Sequence, residues 1–194
     1  MEKTIVPTRV EAFELFQQYN KSESLLKHAL TVEAVMRHFA AIYDEQNMEK
    51  WGIIGLVHDL DYEMFPEQHC LKVREILVTK LWPEDYIHAI ESHGWGLCSD
   101  VEPQMQMEKI LFTIDELAGL ITAAALLRPS KSVLDLEVKS VKKKWKDARF
   151  AAGVNREVIE QGTKMLDLEL DFVIDETIKG MREAAAEIGL KGNL

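Results

Sequence analysis

Six side chains of metal-ligand type are spaced along the chain: His28, the adjacent pair His58 and Asp59, then His69, His93 and Asp115. Four imidazoles with two carboxylates suit iron, manganese, zinc or nickel rather than calcium or magnesium, which prefer all-oxygen shells. Asp115 interrupts the apolar stretch "ILFTIDELAGLI", and a carboxylate there is costly to bury unless a positive group meets it. A divalent ion is the economical partner. Six ligands exceed what one open catalytic ion needs, so they divide into two ions sharing a carboxylate. Asp59 is the natural bridge, since its neighbour His58 can hold one ion.

Other residues near this series could act on a substrate. Lys27 adjoins His28 and is the first candidate for a phosphate contact; Arg128 and Lys131 in "RPSK" are further ones. An unbroken helix would set Arg128 ~20 Å along the axis from Asp115, so it reaches only a large substrate or one met by a chain that folds back. Asp61 and Glu63 follow the His-Asp pair closely and are expected to orient a ligating imidazole or to accept a proton. Trp95 after "SHG" could stack on a base or ring. The run "KKKWKDAR" reads as a solvated face, with Lys142, Lys146 and Arg149 as reserve phosphate contacts. His38 and His88 are rotated away from the faces of His28 and His93 on their helices and read as bystanders.

The elements that must position these groups are helical. "SESLLKHALTVEAVMRHFAAIYDEQ" offers Ser22 or Ser24 as a cap and repeats apolar residues every three or four positions. "NMEKWGIIGLVHDL" is apolar nearly all round, which predicts a deeply buried helix ending at His58-Asp59. "HCLKVREILVTKLW" and "PEDYIHAIESHGW" follow, the second started by Pro83 and broken by Gly94 and Gly96. "MQMEKILFTIDELAGLITAAALL" is the longest, stopped near Leu127 by Pro129, with Met105 and Met107 expected in the core. "SVKKKWKDARFAAG" and "NREVIEQGTKMLDLELDFVIDETIKGMREAAAEIG" supply two or three more. No alternating run flanked by hairpin turns predicts a strand. The expectation is one all-α domain over 1–194, a helical bundle with its core at about 22–130 and C-terminal helices at about 135–190 packed on it.

The 194-residue length suits a single core. Hydrophobic residues at 47% and charged residues at 29% exclude disorder, and a net charge of −10 argues against nucleic-acid polymers and anionic membranes. Two cysteines without a Cys-x-x-Cys pair favour a reducing compartment. The N-terminus "MEKTIVPTRVEAF" shows no leader pattern, and no apolar run approaches the length of a spanning helix, so the expected location is the cytoplasm. An exposed apolar helix stripe could support a homodimer.

The ordered series His28, His58-Asp59, His69, His93, Asp115 resembles the HD superfamily of metal-dependent phosphohydrolases, and His69 with His93 makes it look like the dinuclear branch. That branch includes HD-GYP cyclic dinucleotide phosphodiesterases, dinucleoside tetraphosphate hydrolases and di-iron oxygenases. The segments "GLVHDLDYEMFPEQH", "ESHGW", "DELAGLITAAALLRPSK" and "FAAGVNREVIEQG" look like a group of bacterial and archaeal predicted HD hydrolases, over residues from about 22 to 190. The GYP motif is missing, which turns the expectation away from cyclic dinucleotides. The resemblance implies one or two transition ions, with the six residues as ligands and Asp59 bridging. The expected activity is hydrolysis of a nucleotide or other small phosphate ester by an activated water. It leaves open an oxygenase using the same ligands, and a metal-stabilised sensor or interaction module.

Overall fold

A computed structural model describes residues 4–147 and 149–193. Among the described residues there are nine α-helices: α1 (Arg9–Tyr19), α2 (Glu23–Tyr43), α3 (Met48–Val57), α4 (Leu71–Thr79), α5 (Glu84–Ser92), α6 (Gln106–Leu126), α7 (Val138–Trp145), α8 (Arg156–Leu166) and α9 (Leu170–Glu183). Short 3₁₀ turns lie at Glu45–Asn47 and Pro66–Gln68. No strand forms among the described residues, and the expected all-α bundle is what the chain adopts. No described helix is long and apolar enough to cross a membrane.

The centre is α2, which packs on α3, α6 and α9, while α6 also carries α8. Ala29, Val32, Val35, Met36 and Phe39 form its buried stripe at helical spacing. Every residue of α3 from Trp51 to Val57 is buried, as its unbroken apolar sequence requires. Full burial of each large aliphatic side chain stabilises the fold by roughly 1.5–3 kcal/mol.

Helices α2 and α3 approach closely because α3 carries Gly55 at the contact. A Cβ on Gly55 would lie 2.9 Å from Met36 Cγ, 3.0 Å from the Val32 carbonyl oxygen and 3.2 Å from Glu33 Cα. Two of those three neighbours are backbone and cannot turn aside. Gly55→Ala should therefore push α3 off α2, costing about 1–3 kcal/mol in a urea melt. Because α3 ends at His58, the same displacement should weaken metal binding. Unchanged stability would show that the interface yields more than these distances imply.

Ionic ties reinforce the helix pairs. Glu33 on α2 is buried and takes a forked bond from Arg9 of α1 at 2.6 and 2.9 Å, plus a third from Arg37 at 3.1 Å. Glu91 of α5 receives the Nε–H of Arg74 of α4 on both carboxylate oxygens. His38 sits between Glu176 and Glu183 of α9, and His88 donates to Glu108, which also accepts the amides of Gln104 and Met105 just before α6. Both histidines belong to the scaffold, as their helical phase suggested.

Several expectations are corrected. Helix α1 precedes the core expected to start at about residue 22; Ala12, Leu15 and Phe16 bury its inner face. Met107 is buried, but Met105 caps α6 from outside and is 64% exposed. Residues 149–153 turn rather than continuing the helix that ends at Trp145, and helix resumes at Arg156. Cys70 and Cys98, which carry no local pairing motif, are joined as a disulfide with Cα atoms 6.0 Å apart, within the range such a bond spans. The fold makes that pairing by bringing the start of α4 against the loop after α5.

Candidate metal centre

Helix interiors supply two of the six predicted ligands, His28 from the second turn of α2 and Asp115 from the middle of α6. The other four come from helix ends. His58 is the first residue past α3, Asp59 begins the turn after it, His69 follows the Pro66–Gln68 turn, and His93 is the first residue past α5. Helix ends suit imidazoles because their last carbonyls lack an internal partner. His58 donates its Nδ1–H to the Gly55 carbonyl at 2.8 Å, and His93 donates to the Ile90 carbonyl, each three residues upstream. His69 donates its Nδ1–H to Asp61 Oδ1 at 2.8 Å. In all three rings the bond at Nδ1 leaves Nε2 as the free donor of electrons, aimed at the common centre.

The six groups converge. His28 Nε2 lies 3.2 Å from His58 Nε2 and 2.8 Å from Asp115 Oδ1, and His58 Nε2 lies 3.3 Å from Asp115 Oδ1. Asp59 stands between two halves of the cluster. Its Oδ2 is 3.4 Å from His58 Nε2 and 3.7 Å from His28 Nε2, while its Oδ1 is 3.4 Å from His69 Nε2 and 3.6 Å from His93 Nε2. Ligands held at 2.0–2.2 Å from one ion stand roughly 3.0–3.5 Å apart. The donor set and its spacing therefore fit a transition ion in each half.

Electrostatics point the same way. The Nδ1–H of His58 is spent on a carbonyl, so Nε2 of the neutral ring is a pure acceptor facing a second imidazole and two carboxylates. Acceptors cannot crowd together without a cation among them. Burial works against a charged His58 ring, but Asp59 and Asp115 overcome it and hold its pKa well above the ordinary histidine value. Burial likewise opposes ionised Asp59 and Asp115; His58, assisted by His28 and for Asp59 also by His93, nevertheless keeps both carboxyls well below the usual range. In the ion-free protein the missing cation is a proton on an imidazole. A bound divalent ion would take its place.

Three groups of the cluster bring atoms within 4.8 Å of one another: His28, His58 and Asp59; His58, His93 and Asp115; and His69, Cys70 and His93. Cys70 cannot ligate as it stands, because its sulfur is bonded to Cys98, although that sulfur lies 4.0 Å from His93 Nε2. The second half thus rests on His69, His93 and Asp59 Oδ1.

Of the residues expected around the ligands, Asp61 is fully buried and both its oxygens are engaged. One receives His69, and the other receives the Val73 amide at 2.8 Å, in the first turn of α4. It fixes the orientation of the His69 ring. Asp61→Ala should weaken metal binding about 10–100-fold by freeing the His69 ring. The orphaned amide should cost about 1–3 kcal/mol as well. Competitive metal titration and a urea melt check the two effects separately; full metal affinity in the variant would remove Asp61 from the site.

The remaining expectations fare differently. Glu63 accepts the amides of Lys21 and Ser22 at 2.7 and 3.0 Å, which caps the start of α2 and takes it out of the centre. Lys27 pairs with Glu23 at 2.6 Å and faces an adjoining hollow that shares His28 and Gly119 with the cavity over the cluster and reaches Ile188 and Gly189. Arg128 is forked onto Asp135, and exposed Lys131 sits in the turn beyond α6. Lys142 pairs with Asp171, Arg149 pairs with Asp147 and is 95% exposed, and Lys146 is exposed. Trp95 packs on Phe112 with ring centroids 6.0 Å apart. None of these side chains lines the cavity over the cluster.

That cavity holds about 430 Å³, floored by His28, Asp59, His69, His93 and Asp115. Its walls are Leu25, Tyr62, Leu97, Val154, Val158 and a carboxylate that sequence reading missed, Glu116. Burial pushes the Glu116 carboxyl above its ordinary value, against the Asn155 amide, which donates to its Oε2 at 2.9 Å. Tyr62 sets its ring edge-on to His69 at 5.0 Å. Searched against protein-family models, curated proteins and solved structures, the chain matches none. What fold and site define is an all-α protein with a His/Asp cluster able to hold metal, compatible with an HD-type centre.

Proposed function

We propose that this chain is a metal-dependent phosphohydrolase of the HD type, cleaving a nucleotide or other small phosphate ester. One observation carries the reading: the two oxygens of Asp59 face two separate sets of imidazoles, as a carboxylate shared between two ions must. Two such ions supply Lewis acidity for phosphoryl oxygens and a water acidic enough to attack near neutral pH. The chain's own residues do the rest. His28, His58 and Asp115 hold one half and His69 and His93 the other, with Asp59 common to both. The Gly55 and Ile90 carbonyls and Asp61 fix the rings, so the electrostatics are set before substrate arrives. The cavity gives the ester a walled approach to this floor.

The test is elemental analysis of the purified protein beside a screen of phosphate esters with added manganese, nickel or iron. Two metal equivalents per chain with metal-dependent phosphate release are expected. Less than half an equivalent of any metal would overturn the reading in favour of a non-catalytic module. Oxygen consumption by an iron-loaded protein that releases no phosphate would replace it with an oxygenase.

A further inference from the structure

Cations that usually receive phosphate oxygens are missing from the cavity walls. Among the described residues that line it there is no lysine or arginine, and the one carboxylate in the walls besides the floor ligands is Glu116. Leu25, Leu97, Val154 and Val158 share the remaining wall with Tyr62, Gly94, Cys98 and Gly119. Glu116 is held in place by the Asn155 amide on Oε2, and its Oε1 has no hydrogen-bond partner among the described residues. Lys27 lies outside this wall, in the adjoining hollow beyond His28, where it pairs with Glu23, while Arg128 and Lys142 pair with Asp135 and Asp171 away from the cavity.

We propose that the cavity selects esters with a single phosphoryl group on an uncharged, largely apolar alcohol, and that Glu116 is the residue that rejects a second phosphate. This rests on the phosphohydrolase reading for the role of the floor. The reacting phosphoryl group needs no side-chain cation, because the cluster that binds ions lies directly beneath it. The alcohol part lies against the leucine and valine wall, where apolar surface is gained. In a diphosphate or triphosphate ester the added charges meet either that wall or Glu116. An anion set on apolar side chains loses hydration without compensation. Beside a fixed carboxylate it meets like charge, which costs enough to exclude a wrong partner. The selectivity is thus built from a repulsive group in a wall that, among the described residues, holds no lysine or arginine to offset it.

Phenyl phosphate and phenyl diphosphate share one alcohol and differ by one phosphoryl group, so they make the test. Binding of each to the metal-loaded protein is measured by calorimetry, with phenol release followed on the same samples and metal content assayed before and after. The wild-type chain should bind the monophosphate at least about tenfold more tightly than the diphosphate. Glu116→Gln keeps an acceptor for the Asn155 amide and removes the charge, and should narrow that ratio about tenfold. A phenyl phosphate that does not bind, a diphosphate bound as tightly as the monophosphate, or a ratio unmoved in Glu116→Gln would each overturn the assignment. Tight, selective binding without phenol release would instead overturn hydrolysis while leaving the selectivity of the cavity intact.

Discussion

Asp59→Ala should fold, retain less than half an equivalent of metal in either half-site, and release phosphate at least about a thousandfold more slowly than the parent chain. The size follows from what the side chain touches. Its two oxygens lie 3.4–3.7 Å from four imidazole nitrogens, so one substitution removes a ligand from both halves at once. Metal ions contribute several kcal/mol of transition-state stabilisation, and each loss of about 1.4 kcal/mol slows a reaction tenfold. His69→Ala is the informative comparison, because it touches one half alone. It should lower the metal content toward one equivalent and leave the His28, His58 and Asp115 half loaded. Folding of Asp59→Ala is expected because the residue lies in a turn whose backbone bonds, such as Tyr62 N–H to the Asp59 carbonyl, do not involve the side chain. Circular dichroism at equal concentration establishes this before metal is counted. Two equivalents of metal retained by Asp59→Ala would abolish the bridge.

The sequence made the His/Asp cluster legible because residues of metal-ligand type recur in it at wide, ordered spacing, and His-Asp at the end of an apolar run calls for a partner. It also made α2 and α6 legible, since both are long and periodic. The chemistry that orients the rings was less visible. The Gly55 and Ile90 carbonyls leave no trace in residue type, although a histidine one step past a helix is the signal to seek. Helix α1 was missed because its apolar positions are interrupted by charge, yet Thr8 and Glu11 form the capping box their spacing announces. Glu116 could not be singled out from the chain, because its setting depends on Val154, Asn155 and Val158, almost forty residues away. The Cys70–Cys98 pairing, 28 residues apart, is likewise a product of tertiary contact. Lys27, Arg128 and Lys131 were expected at phosphate by proximity in sequence, but exposed cations find the nearest carboxylate, and Glu23 and Asp135 are nearer than the cluster.

The ion-free and ion-loaded proteins should respond to pH with opposite signs. Without metal, Asp59 and Asp115 hold His58 well above the ordinary value against the effect of burial, and Asp61 with Asp59 raises His69 in the same way. A histidine in the unfolded chain titrates near pH 6.5, so these raised groups contribute stability that is fully present below about pH 6.5. That contribution is lost as pH rises through their folded values, by up to about 1.4 kcal/mol per pH unit for each ring. Asp59 and Asp115 are depressed, so their contribution is present above about pH 4 and disappears only as pH falls through their folded values. Ion-free protein in chelator should therefore be most stable between about pH 4 and 6.5 and should melt at progressively lower temperature above that window. Metal binding displaces the same protons, so the ion's affinity and the stabilisation it confers should grow as pH rises. Melting curves with chelator and with manganese at about pH 6 and pH 8.5 decide the matter. A chelated protein whose melting temperature holds or rises between those values would show that the imidazoles are neutral in the ion-free fold, and that something other than a proton keeps four rings and two carboxylates together.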